Sequence, residues 1–117
     1  MPRPRCSRWI RHQPPVRAYF PQQPPPGPLR GVTLTLDGLE ALRLVDAEGY
    51  EQESAARFMG VSRPTLSRML AEAREIVARA LVNGWAIRIE GGNAFFTTEP
   101  PPVIGGGRRR RRRGAGP

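Results

Sequence analysis

Apolar positions in the middle of this chain recur at helical spacing, and toward both ends that spacing gives way to proline or to strict alternation. Leu66, Met69, Leu70, Ala73, Ile76, Val77, Ala80 and Leu81 fall within an arc of about 140° at 100° per residue, which predicts a long amphipathic helix. Ser67, Arg68, Glu72, Glu75 and Arg79 occupy its opposite side, with Arg74 at the edge of the stripe. Ser62 suits the N-cap because its hydroxyl can accept from a free backbone N–H, Pro64 sits where a missing N–H costs nothing, and Asn83-Gly84 ends the helix. A shorter helix precedes it from Gln52. There Ala55 and Ala56 leave room for a close crossing, Gly60 permits the positive φ of a reversal, and Val61 buries the corner. Upstream, Leu34 to Asp46 predicts a third helix that begins near Thr35 or Asp37 and ends before Gly49. Gly38 weakens it by about 1 kcal/mol relative to alanine.

Two helices about a tight turn, the second opening on Ser, Arg and Thr, have the form of a helix-turn-helix whose second helix reads base edges. The expected fold is mostly α: a three-helix core, sigma region four-like or winged-helix-like, with a short C-terminal β-hairpin and disordered ends. The candidate DNA-contacting residues are Gln52, Ser62, Arg63, Pro64, Thr65, Ser67, Arg68 and Arg74. Arg63 and Arg68 can reach guanine O6 and N7, and Thr65 is short enough for a base or a nearby phosphate.

The residues also resemble known proteins. Leu34-Thr-Leu-Asp37, Glu48-Gly-Tyr50, Ala55-Ala56, Met59 to Arg63, Thr65 and Ala73-Arg74 are similar to region four of bacterial sigma factors, the helix-turn-helix that reads promoter elements. Met-Pro-Arg-Pro-Arg-Cys6, Glu40-Ala-Leu-Arg-Leu44 and Ala86 to Asn93 resemble an uncharacterised family of small prokaryotic predicted DNA-binding proteins, over roughly residues 1 to 95. The resemblance implies sigma-like DNA recognition, with no known regulon or enzyme activity. Gly38 departs from the family pattern, and the polyarginine tail lies outside it.

Charge divides the chain into parts. Residues 1–31 hold six Arg and no acid, residues 32–92 seven Arg against nine acids, and residues 93–117 six Arg against Glu99, giving +6, −2 and +5. Long-range attraction to nucleic acid is therefore expected from the ends, and orientation and readout from the middle. Most of the acids lie between Asp37 and Glu53, a side expected to face away from phosphates. Every cation is Arg, which suits bidentate recognition but equally follows from codon bias.

The division expected is a basic, proline-rich extended arm over 1–31, a helix-turn-helix core over 32–84, a hairpin over 85–98 and an arginine-rich disordered tail over 99–117. Residues 2–11 could lie along DNA or be a solvated tail. Seven prolines from Gln13 to Pro28 enforce extended chain, with Val16, Tyr19 and Phe20 as expected anchors on the helices. Trp85, Ile87 and Ile89 alternate onto one face, and Gly91-Gly92-Asn93 offers a turn toward Ala94 to Thr98. Such a hairpin is a lid, a dimer seam, or a wing with Arg88 outward.

Other chemistry finds little support. One cysteine, Cys6, cannot form an internal disulfide, and with the single histidine, His12, it cannot complete a zinc site within one chain. No cofactor or metal is expected, and no phosphate loop, dinucleotide fingerprint or nucleophile elbow occurs. No apolar run is long enough for a membrane span, so a cytoplasmic address is expected. Three readings remain: a transcription regulator on double-stranded DNA, alone or as a homodimer; a protein-interaction module that binds RNA polymerase; and nonspecific nucleic-acid coating by the arginine arms.

Overall fold

In the computed structural model the described residues are 8–23, 26–92 and 94–96. The first helix, α1, spans Leu36–Leu42. Thr35 caps it in extended conformation, its hydroxyl accepting from the Gly38 N–H at 3.1 Å. The same run continues as a π-helical turn over Arg43–Ala47, in which the Glu48 N–H donates five residues back to the Arg43 carbonyl at 2.8 Å. α2 spans Gln52–Met59 and closes on Gly60, whose φ of 70° turns its N–H back to the Ala56 and Arg57 carbonyls. α3 spans Arg63–Asn83, with Ser62 as its cap, and ends on Gly84 at φ 72°. These bounds follow local signals in the sequence, since caps and stop glycines act within one turn.

Two apolar clusters hold the helices. Ala41, Leu44, Val45, Ala55, Ala56, Phe58, Met59, Leu66 and Leu70 form the first, with Met69 and Val61 packed against it. Tyr50 meets Phe58 edge-on, ring centroids 4.8 Å apart. Leu34, Ala73 and Ile89 form the second, flanked by Ile76, Val77 and Ile87. Each fully buried large side chain contributes about 1.5–3 kcal/mol as an upper estimate. Gly38 explains itself here. A Cβ added to it would lie 3.0 Å from the Thr35 hydroxyl, a tight contact, and 3.4 Å from the Ala73 Cβ, at the edge of ordinary van der Waals contact, so α1 passes close to α3 here and a methyl would press on the cap.

Among the described residues five short strands accompany the helices: β1 (Arg8–Ile10), β2 (Ala18–Tyr19), β3 (Gly31–Leu34), β4 (Ala86–Ile89) and β5 (Ala94–Phe96). A three-stranded sheet has the order β2-β4-β3, and β1 pairs with β5 in a separate two-stranded sheet. β3 and β4 are parallel, with Val32 opposite Ile87 and Leu34 opposite Ile89, so all three helices lie in the crossover that joins them.

The expected hairpin over 85–98 is not formed. β4 has both edges taken, by antiparallel β2 and parallel β3, so β5 pairs instead with the edge of β1, Ile10 opposite Phe96. The loop between β4 and β5 is fixed on α1: Leu36 donates its N–H to the Gly91 carbonyl at 3.1 Å, and a Cβ on Gly92 would collide with the Asp37 carboxylate. The N-terminal third also differs from the expected arm. From Arg8 to Leu34 it supplies three strands, and its anchor is Ile10, 1% exposed. Val16, Tyr19 and Phe20, the expected anchors, are exposed, and β2 is a two-residue strand at the edge of its sheet among the described residues. Leu81, placed in the apolar arc of α3, is 74% exposed, since α3 outruns the layer beneath it and only Ala80 of its last six residues is buried. The expected disordered ends, residues 1–7 and 97–117, lie outside the described residues. Among the described residues no helix is long and apolar enough to cross a membrane.

Candidate functional site

The first turn of α3 is built by its cap. Ser62 accepts from the Thr65 N–H at 3.3 Å and donates its own hydroxyl to Thr65 Oγ1 at 3.0 Å, and Pro64 fills the first turn. This leaves Arg63, Pro64 and Arg68 exposed and Thr65 and Ser67 half-buried. Leu66 at 0% and Leu70 at 1% exposure fasten the other side of the helix, so the exposed side chains stand on a rigid base.

Gln52 and Ser67 meet across the two helices. The Ser67 hydroxyl donates to Gln52 Oε1 at 2.5 Å, which orients the carboxamide and leaves its N–H2 donors outside that bond. Gln52, Arg63 and Arg74 share the rim of a polar cleft of about 290 Å3 with Val45, Glu51 and Glu53. The acidic stretch therefore does not all face away from the site: its last two carboxylates stand beside Arg63. Arg68 lies outside that cleft, farther along α3.

Arg74 is already engaged. Its guanidinium forms a bidentate pair with Asp46, Nε to Oδ2 at 3.0 Å and Nη2 to Oδ1 at 2.7 Å. That hydrogen bond raises the Arg74 pKa above its ordinary value, so the pair stays charged. Both side chains are about half exposed, which limits the pair to roughly 0–1 kcal/mol, but it ties the π-helical turn to α3.

Several arginines that the charge pattern assigned to a DNA-directed arm are structural. Arg11 donates from Nη1 to the Phe58 carbonyl at 2.6 Å, near the C-terminus of α2, where a cation is favoured, and its backbone N–H donates to Glu40 Oε2 at 3.1 Å. Glu40 is 2% exposed and also takes Arg43 in two hydrogen bonds of 3.0 and 2.9 Å, which raise the Arg43 pKa. Arg8 lies 3.7 Å from the Asp37 carboxylate. Trp9 packs its indole against Gly60, so β1 braces the α2–α3 turn. The alternation of Ile10 with Arg11 was the one sequence signal for this role. Arg88 is exposed on β4, but β4 is a central strand and not the tip of a projecting hairpin. Among the described residues no three His, Cys, Asp or Glu side chains gather at a metal-binding spacing, and Cys6 lies outside them.

A family described as a protein of unknown function, DUF134, matches residues 1–97. Similar proteins include a UPF0251 protein of Rhodospirillum rubrum, 59% identical over 92 residues, which are 79% of this chain and 64% of that protein. A UPF0251 protein of Thermoanaerobacter pseudethanolicus is 54% identical over 93 residues, 80% of this chain and 79% of that protein. One from Moorella thermoacetica is 52% identical over 79% of this chain and 62% of its own length. The chain thus spans slightly less than two thirds of some of these relatives. No solved structure matches.

Proposed function

We propose, for a chain that belongs to the DUF134 family, that it binds double-stranded DNA in a sequence-specific manner and regulates transcription through a sigma region four-like helix-turn-helix formed by α2 and α3. The observation that carries this reading is the start of α3. Ser62 caps a first turn in which Arg63 is exposed ahead of the packed residues, and Arg68 is exposed farther along, on the side opposite the buried Leu66 and Leu70. A major groove admits such a helix, and an exposed guanidinium can bind guanine O6 and N7 together. Thr65 supplies a hydroxyl, and the Gln52 carboxamide, oriented by Ser67, presents N–H donors toward a backbone phosphate. Arg74 holds the π-helical turn that follows α1 to the recognition helix through Asp46 and contributes to readout through that positioning.

A second reading, a sigma-like module that binds RNA polymerase or another protein, is favoured by one observation: Glu51 and Glu53 share the cleft with Arg63, where phosphates would meet repulsion. A binding selection from random double-stranded DNA, followed by affinity measurements at several salt concentrations, separates the readings. Enrichment of one motif, with affinity falling linearly in the logarithm of salt, is the expected result. No enriched motif and little salt dependence would overturn it in favour of the protein-binding module.

A further inference from the structure

We infer that the apolar groove beside α3 is one half of a homodimer interface and that the end of α3 from a second copy fills it. The groove has a volume of about 570 Å3 and lies between the strap of residues 12–19 and the helices, with Val16, Tyr19, Leu39, Leu42, Val77 and Ile87 among its walls. Beside it stands a ridge. Leu81 and Val82 are 74% and 82% exposed, the two most exposed large hydrophobic side chains among the described residues. Leu81 lies one helical turn beyond Val77 on the same side of α3, so it and the groove are adjacent parts of one surface, while Val82 points about 100° farther round the helix.

That adjacency selects the occupant. A two-fold axis between ridge and groove places each copy's Leu81 in the other copy's groove, which covers both halves at once, as an isologous interface requires. A partner that filled the groove alone would leave the ridge in water. Charge agrees with this pairing. The strap that forms the outer wall carries Arg17 and no acid, while α3 has no basic residue in its last turn to meet the negative end of its dipole. Docking the end of α3 on the partner's strap brings these together. The contact lies about 24 Å along α3 from Thr65 at 1.5 Å per residue, so it leaves the candidate site open. It does not depend on what that site binds.

The test uses the full chain and two exposed positions, Leu81→Asp on the ridge and Val16→Arg on the strap. Light scattering coupled to size exclusion is expected to give the wild type twice the 13.0 kDa chain mass and each variant the single-chain mass, with circular dichroism melting of each variant still cooperative. An equimolar mixture of the two variants is expected to recover the dimer, because the introduced carboxylate and guanidinium face each other across the interface. A wild type that stays monomeric up to its solubility limit overturns the inference, as does a dimer that persists in both variants. A monomer that binds an apolar dye lost in Val16→Arg also overturns it and gives the groove to a small apolar ligand.

Discussion

Gly38→Ala sets local preference against packing. Helix propensity alone favours alanine at an interior helical position by about 1 kcal/mol. At Gly38, however, a Cβ would stand 3.0 Å from Thr35 Oγ1, 3.4 Å from the Ala73 Cβ and 3.5 Å from Leu34 Cδ1. The Thr35 hydroxyl cannot simply turn away, because it accepts from the Gly38 N–H at 3.1 Å and caps α1. Losing that cap costs about 0.5–2 kcal/mol. Keeping it moves α1 off Ala73, and forcing a methyl into a packed contact costs about 1–3 kcal/mol. The middle of either range exceeds the propensity gain, so a net destabilisation of up to about 1 kcal/mol is expected. For a domain of this size that lowers Tm by about 4–8 °C. Thermal unfolding followed by far-UV circular dichroism measures it. Combining the change with Ala73→Gly, which removes the facing methyl, should recover part of the loss once the cost of the new glycine, about 1 kcal/mol, is subtracted. A rise in Tm for Gly38→Ala alone would refute the reasoning, because helix propensity would then outweigh the α1–α3 contact.

Arg63→Ala or Arg68→Ala should each weaken binding to the preferred DNA site by roughly 1–3 kcal/mol and relax preference at one base pair, whereas equal loss on preferred and random DNA would assign that arginine to phosphates. Ser67→Ala and Gln52→Ala should not add: if Ser67 acts by holding the Gln52 carboxamide, the double variant binds about as tightly as Gln52→Ala alone, and additive losses would give Ser67 its own DNA contact. Ile10→Ala should destabilise the fold by about 2–5 kcal/mol, since Ile10 is 1% exposed, and a chemical denaturation midpoint unchanged from the wild type would return β1 to the status of an arm. Ending the chain after Thr98 removes Arg108 to Arg113, which at roughly 0.9 per phosphate contact lowers the salt slope by about 5 if all six engage, and leaves the order of preferred sequences unchanged. Loss of that order in a folded truncated chain would make the tail part of the readout.

The sequence by itself determined the features whose causes act within a turn or two. Ser62, Pro64 and Gly84 bound α3, Gly60 sets the reversal after α2, and Leu66, Leu70 and Ala73 mark the buried side of α3, because caps, positive-φ glycines and 3.6-residue periodicity are all local. The exposure of Arg68 followed from the same periodicity, and that of Arg63 from its place in the first turn, ahead of the packed residues. Only the tertiary structure decided what depends on pairs far apart in the chain. The period of two in Ala86–Ile89 identifies a strand but not its neighbours, and parallel pairing with β3 became available only after three helices had brought the two together. Gly38 reads as a defect in α1 until Ala73, thirty-five residues later, lies against it. Arg11 reads as a surface cation until the Phe58 carbonyl and the buried Glu40 take its N–H groups, and Arg74 reads as a DNA contact until Asp46 reaches it. Local pattern gives each residue its preference, but these positions are set by contacts whose partners the pattern cannot identify.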